Sequence, residues 1–399
     1  MSIALPPSDE LEDDETPARD MVDDEDTGRG DAQVKPWDPS KIRITTKNFS
    51  LRDVVDQIAE KEIDLSPDFQ RDYVWKQRQR TRLVESILLG IPLPAFYFNQ
   101  SRDGTYQVVD GVQRLSTISL FMKDIHILDE LDLEYLRSLH GRKYSQLDPA
   151  ELRRFRSTQI VVHVIEAQTP DDVKYDIFSR VNTSGSPLSP QEIRHAMSKA
   201  KSRAFLKDLS ELPEFDSATG GHYWRRDAEA ENGRVRDSGR MTNRELALRF
   251  CAFRDYSDEE YRRHSSLDAF LVEYTRRLDA NSVSAAPISD TELYRLRADF
   301  ERAMNNAHLV LGKAAFRRWP IGQNRRGPIN RAVFESQAIA LADYQLAQLL
   351  PRKDKIVSAF RAAFDDQIYA RSVTVGTGDP TAVQRRLTRT KAILAEVLA

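Results

Sequence analysis

Apolar residues in the first half of the chain fall at both strand and helix spacings; in the second half almost all fall at helix spacing. Residues 45–62 read as a strand edge leading into a helix, with Leu51, Val54, Val55 and Ile58 on one face. Residues 77–89 form an amphipathic helix with Leu83, Val84, Ile87 and Leu88 inward. Gly90 suits its C′ position, and Pro92 and Pro94 cannot continue it because proline lacks an N–H. Residues 95–99 and 106–109 read as strands joined by a turn at Asp103-Gly104. Asp110-Gly111 ends the second strand, and from Val112 a helical pattern begins with Leu115, Ile118, Ser119 and Met122. Residues 159–165 are another strand. Thr169-Pro170-Asp171-Asp172 reads as a hydroxyl cap, an N1 proline and an acidic first turn, starting a helix that runs to about Asn182. Ser189-Pro190-Gln191-Glu192 has capping-box spacing. Beyond about residue 200 the β signal fades. Residues 241–256, 258–278, 290–312, 328–350, 352–369 and 380–398 read as helices, and polar 215–240 as a loop or connection. The pattern predicts an α+β chain: a mixed α/β domain over 40–200 and a mostly helical domain over 201–399.

Charge adds a third region. The chain has 399 residues and a net charge of -3. Residues 1–35 carry twelve Asp/Glu against three Lys/Arg, a local -9 that leaves the remainder at +6. Residues 1–39 are therefore expected to be an acidic, disordered tail with almost nothing to bury, solubilising or shielding a basic surface. The single cysteine, Cys251, excludes a disulfide scaffold and a multi-cysteine zinc site and suits a reducing cytoplasm. No apolar run approaches the roughly 18 residues of a membrane span, and no secretion signal opens the chain. A cytoplasmic protein is expected.

The candidate chemistry is at residues 110–114. A strand that ends in Asp-Gly and feeds a helix is a physical anion trap, because glycine turns tightly and the first helical N–H groups point outward with the positive end of the dipole. Gln113 and Arg114 lie in the first turn, and the guanidinium fork of Arg114 matches phosphate. Arg114 is thus expected to face a ligand and to add little to the core. Asp110 is placed to hold a divalent metal such as Mg or to orient a water. Taken alone the pentapeptide also fits a plain hairpin end with solvated polar residues. Upstream, Phe69-Gln70-Arg71 supplies a second Gln-Arg pair, followed by Tyr73 and Trp75.

Four ordered blocks carry a resemblance. Residues 68–75, 83–94 and 109–118, then 177–189 (Ile-Phe-Ser-Arg-Val-Asn-Thr-Ser-Gly-Ser-Pro-Leu-Ser) with Glu192-Ile193-Arg194, resemble the GmrSD restriction-endonuclease N-terminal-domain family (domain-of-unknown-function family 262). The resemblance covers about residues 40–200. It implies a ParB/sulfiredoxin-like core that binds a nucleoside triphosphate through Gln70, Arg71, Gly111, Arg114, Arg180, Asn182 and Arg194, with Asp110, Gln113 and Arg114 as the catalytic set. Family members act in bacterial defence against phage, where nucleotide hydrolysis controls DNA cleavage. The family often has a polar residue, commonly Gln, where this chain has Val112. Full-length members carry a His-Asn-His nuclease module. None of the seven histidines lies after His308 and none forms a paired-histidine pattern, so no such module is expected here.

The helical half adds basic clusters: Trp224-Arg225-Arg226, Arg234/Arg236/Arg240, Arg317-Arg318-Trp319 with Arg325-Arg326, and Arg385-Arg386 with Arg389 and Lys391. Arg317, Arg318, Arg325 and Arg326 are the candidate DNA-phosphate contacts; solvated helix faces are the alternative. Glu335 reads as a buried partner for an arginine or as a catalytic carboxylate, with a structural salt bridge the expectation. Two functions compete. One is an NTP-hydrolysing DNA-processing protein of an anti-phage or restriction system. The other is a non-catalytic, nucleotide-responsive subunit beside a separate nuclease. Sulfiredoxin-like chemistry would need a nucleophilic cysteine, and Cys251 sits in an apolar helix.

Overall fold

The computed structural model describes Val22, residues 25–27, 41–65, 75–129, 131–181, 188–226, 233–237, 239–282 and 284–399. Two compact units result: one of residues 35–188, the other of residues 1–34 with 189–399.

In the unit of residues 35–188, β1 (Ile44–Ser50) runs directly into α1 (Leu51–Ala59), because the Ser50 hydroxyl accepts the Asp53 N–H and caps the helix. There follow β2 (Ile63–Asp64), α2 (Gln77–Leu89), β3 (Phe96–Gln100), β4 (Tyr106–Asp110), α3 (Val112–Met122), α4 (Pro149–Ser157), β5 (Gln159–Ile165) and α5 (Asp171–Val181). The strands form one mixed sheet in the order β1-β5-β3-β4-β2, with β1/β5 and β3/β4 antiparallel and β5/β3 and β4/β2 parallel. One sheet face contributes Phe96, Phe98, Val108, Val162 and Val164 to a core shared with Leu51 and Val54 of α1, Val84 and Ile87 of α2, and Leu115 and Ile118 of α3. Each such side chain, fully buried, stabilises by about 1.5–3 kcal/mol. Gly90 closes α2 at φ 78, its N–H reaching the Ile87 carbonyl at 3.0 Å. Glu85, buried on α2, accepts the backbone N–H groups of Glu134, Tyr135 and Leu136 at 3.0, 2.7 and 2.8 Å.

The other unit contains α6 (Pro190–Ala196), α7 (Ala200–Ser210), α8 (Pro213–Thr219), the hairpin β6 (Trp224–Arg226) and β7 (Arg234–Arg236), and α9 (Thr242–Arg254). It continues through α10 (Asp258–Tyr261), α11 (Leu267–Leu278), α12 (Asp290–Asn306), α13 (Arg331–Ala342), α14 (Leu346–Leu349), α15 (Lys353–Ala362), α16 (Gln367–Ser372) and α17 (Pro380–Leu398). Helix α13 is buried from Ala332 to Ala342, so it is the axis on which α9, α12 and α17 pack. The expected α+β class holds.

Several expectations shift in detail. The helical pattern over 258–278 breaks where Ser266 starts α11 by accepting the Ala269 N–H; Asp366 likewise divides 352–369 by capping α16. Residues 290–312 end in a π-helical turn at Ala307–Leu311, and 328–350 is α13 and α14. Residues 215–240, read as a loop, include α8 and the β6/β7 hairpin. The Thr169 hydroxyl donates to the Arg43 carbonyl at 3.1 Å and so ties the entry of α5 to the approach of β1. The expectation of an acidic tail with nothing to dock fails at Val22 and at residues 25–27. Val22 bridges to Ile329, and the Glu25 carboxylate is 8 % exposed against Arg249. A buried arginine supplied what sequence composition could not show: a partner that makes burying one carboxylate favourable.

Candidate functional site

The turn from β4 into α3 rests on a bulge. Phe98 pairs with Val108, yet Tyr97 pairs with Asp110, so β4 carries one extra residue, Val109. Strict alternation would turn Asp110 to the core side with Val108 and Phe96. The bulge instead sets it opposite Tyr97, which also neighbours His163 across β5. Gly111 then takes φ 98, and a Cβ there would lie 2.2 Å from Cδ1 of Phe96, so both backbone sign and space demand glycine. As the N-cap residue, Gly111 has no side chain with which to cap α3. Gln113 follows in the first turn, its Oε1 buried and without a hydrogen-bond partner among the described residues.

Arg114 is engaged inward. Its Nη2 donates to Asp110 Oδ2 at 2.8 Å and to the Ala95 carbonyl at 3.2 Å, and Nη1 donates to the Pro94 carbonyl. The guanidinium carbon lies 4.2 Å from the centroid of the Phe96 ring, and the side chain is 12 % exposed. Burial lowers its pKa despite the opposing carboxylate of Asp110. The expectation that Arg114 adds little to the core is corrected: it clamps the Pro94-Ala95 backbone to the β4–α3 turn. Asp110 retains Oδ1. Among the described residues no group of three or more His, Cys, Asp or Glu comes together. Asp110 Oδ1 suits a divalent ion that brings phosphate and water ligands of its own.

Residues 51–198 match the family model described as GmrSD restriction endonuclease, N-terminal domain. This stretch is a GmrSD N-terminal domain. No curated protein matches the chain. The GmrSD N-terminal domain extends past Leu188, so α6 belongs to it by sequence but to the unit of residues 189–399 by packing.

That division decides where the remaining candidate residues sit. Gln70, Arg71 and Asn182 lie outside the described residues. Arg180 is 73 % exposed and pairs with Asp176 at 2.9 Å on α5. Arg194, 1 % exposed, is held in the other unit by Asp268 at 2.6 Å, Glu245 at 3.5 Å and Gln191 at 2.8 Å. Asp110, Gly111, Gln113 and Arg114 are thus the only expected nucleotide-site residues that the description brings together.

The GmrSD domain also contains a cation that sequence reading passed over. Lys174 of α5 is 5 % exposed, with its Nζ 3.4 Å from the Ala167 carbonyl. Burial, helped by the charge of Arg102, pulls its pKa down to about 8. Its only sequence signal was a lysine placed between apolar Val173 and Ile177 on a helix.

The expected DNA surface divides. Arg317 points inward: Nη1 reaches the Gly327 carbonyl at 3.0 Å, and burial with repulsion from Arg326 lowers its pKa to about 10. Arg318, Arg325 and Arg326 are exposed on the same loop. Trp319 folds the loop by donating to the Gln323 carbonyl at 2.8 Å, and Arg361 stacks on its ring at 4.2 Å. In the other clusters, Arg236 makes a two-pronged pair with Asp216 at 2.6 and 2.7 Å, Arg225 pairs with Asp237, Arg240 with Glu192, Arg389 with Glu396 and Lys391 with Asp343. Arg386 and Glu335 are fully buried partners of each other, as expected for Glu335.

Proposed function

We propose that this chain is a nucleotide-binding, DNA-processing protein of a phage-restriction system, in which the GmrSD N-terminal domain takes the nucleotide and the helical unit meets DNA. The observation that carries the reading is the bulged β4–Gly111–α3 turn. Within four residues it combines the first helix N–H groups, an Asp110 Oδ1 that Arg114 does not use, and a buried Gln113 Oε1 with no partner among the described residues. Oriented amides with a helix dipole suit phosphate oxygens. The Gln113 acceptor suits a donor such as an amino or hydroxyl group, or metal-bound water. Arg114 acts here as a positioning residue that fixes Asp110. Gln70, Arg71, Arg180 and Asn182 complete the phosphate contacts on this reading, and a Mg ion carried by the nucleotide takes Asp110.

A second reading is a nucleotide-responsive subunit that works beside a separate nuclease. It is favoured by the internal engagement of Arg114, which leaves few donors for a transferring phosphoryl group. Calorimetric titration of ATP, GTP and CTP with Mg into the full chain, and into Gln113→Ala and Asp110→Asn, tests both. Binding that weakens at least tenfold in Gln113→Ala supports the site. Hydrolysis lost in Asp110→Asn supports the catalytic reading; binding with no turnover in the wild type, with or without DNA, supports the subunit reading. Wild-type protein that binds none of the three nucleotides overturns both.

A further inference from the structure

The helical unit holds one segment of its own chain as though it were a ligand. Glu25 comes from a run of acidic residues, yet its carboxylate is buried between α9 and the loop before α17. Arg249 of α9 donates from Nη1 to Glu25 Oε1 at 3.0 Å and from Nη2 to Oε2, and the Thr377 hydroxyl donates to Oε1 at 2.5 Å. Main-chain bonds continue the capture: Thr377 N–H to the Asp26 carbonyl at 3.0 Å and Gly378 N–H to the Thr27 carbonyl at 2.9 Å. A Cβ on Gly378 would stand 2.7 Å from the Thr27 oxygen, so glycine is what lets the segment lie flat. At the other end Val22 bridges to Ile329.

Further side chains brace the receiving surface. Arg386 Nη1 holds the Thr377 carbonyl at 2.6 Å, the Tyr261 hydroxyl holds the Gly378 carbonyl at 2.7 Å, and Asn330 Nδ2 holds the Val373 carbonyl at 3.0 Å. Arg249 is 2 % exposed and keeps two further carboxylates, Glu245 at 2.9 Å and Glu335 at 3.4 Å. In this connected set of ion pairs Arg194, Arg249, Arg331 and Arg386 face Glu245, Glu335, Asp268 and Glu25. Among the described residues Glu25 is the fourth carboxylate of the set, against four guanidinium groups. A site with one deep guanidinium, one hydroxyl and two ordered amides reads one carboxylate and an extended backbone, whatever the neighbouring side chains are.

We infer that Arg249, Thr377 and Gly378 form a peptide-binding site for an acidic segment anchored by one glutamate, and that Glu25, Asp26 and Thr27 of the same chain fill it in cis. This goes beyond the nucleotide reading and does not depend on it. The acidic region then supplies an intramolecular ligand to the helical unit.

The test uses the full chain and a labelled synthetic peptide of residues 18–31. In the Glu25→Ala chain the cis segment has lost its anchor. The peptide is expected to bind that chain at least tenfold more tightly than it binds wild type, and a Glu25→Gln peptide to bind it at least tenfold more weakly. No peptide binding to a folded Glu25→Ala chain, or equal binding of both peptides, overturns the inference. Should Glu25→Ala not fold, Thr377→Val leaves every charge in place. Cleavage after Glu25 by a glutamate-specific protease is then expected to quicken at least fivefold over wild type; an unchanged rate overturns the inference. A dimer that forms in wild type and disappears in Glu25→Ala would show the site served by a second copy and would overturn closure in cis.

Discussion

The guanidinium carbon of Arg114 lies over Phe96, 4.2 Å from the ring centroid, while its Nη2 meets Asp110 at 2.8 Å. A stacked, charge-paired arginine contributes through packing as well as charge. Arg114→Ala should therefore cost about 1.5–3 kcal/mol of stability through the lost charge-assisted bonds. Arg114→Lys should recover only part of it, because an ammonium cannot span Asp110 and two carbonyls at once. Urea denaturation of the three proteins measures this; an unchanged midpoint for Arg114→Ala would show the clamp to be idle.

Gly111 admits no substitute. Gly111→Ala adds a Cβ 2.2 Å from Phe96 at a φ of 98. The variant should lose on the order of 2 kcal/mol or more from overpacking and backbone strain together. Gly104→Ala in the β3–β4 turn has a similar φ of 90 but open space, and should cost less. Equal losses in the two variants would locate the whole effect in the backbone.

Acid should weaken both units well above the carboxylate range. Burial, with the charge of a nearby arginine, lowers the pKa of His126 and of His222 to about 4, and that of His195 well below 6.5. The unfolded chain takes up protons near pH 6.5 while the fold keeps these rings neutral. Stability is therefore present above that pH and falls as pH drops from about 6.5 towards 4. Each ring adds up to about 1.4 kcal/mol per pH unit across that window. Melting temperatures between pH 7.5 and 4.5 give the slope, and His126→Gln should flatten it. A Tm constant down to pH 5 would contradict the neutral rings.

Lys174 has the same sign in the alkaline range. Its pKa is lowered from 10.5 to about 8, so the unfolded state binds the extra proton between those values and stability should rise with pH there. Lys174→Met should abolish that rise and be more stable than wild type at pH 7, where the buried ammonium is still charged. Chemical denaturation at pH 7 and 9.5 decides it; a destabilised Lys174→Met at pH 7 would mean the ammonium has a stronger partner than the Ala167 carbonyl.

Replacing Arg318, Arg325 and Arg326 together by Ala should leave the Tm within a degree or two and reduce the salt dependence of DNA binding, since fewer counterions are released. Arg317→Ala should do the reverse, lowering the Tm by unfastening the Gly327 carbonyl. If the triple variant binds DNA with the wild-type salt slope, the loop is not the DNA surface.

Much of this protein was legible in the order of its residues. Helix α2 begins and ends at the expected residues, strand β5 spans 159–165 as read, and Ser189 with Glu192 closes the expected capping box. Glu335 is a buried arginine partner, the expected one of its two readings. Periodicity, caps and glycine turns are local: each depends on residues within a turn or two, so spacing reveals them. The five-residue Asp-Gly-Val-Gln-Arg motif likewise announced a strand-to-helix turn. Tertiary structure alone decided what that motif's side chains do. The bulge at Val109 turns Asp110 away from the core, and the carbonyls of Pro94 and Ala95 draw Arg114 inward, through contacts set by a neighbouring strand. The same holds at longer range. Glu25 looked like one more solvated acid, and Arg249, 224 residues away, made it a buried one. Charge burial depends on a partner's position in space, and composition carries no information about that position.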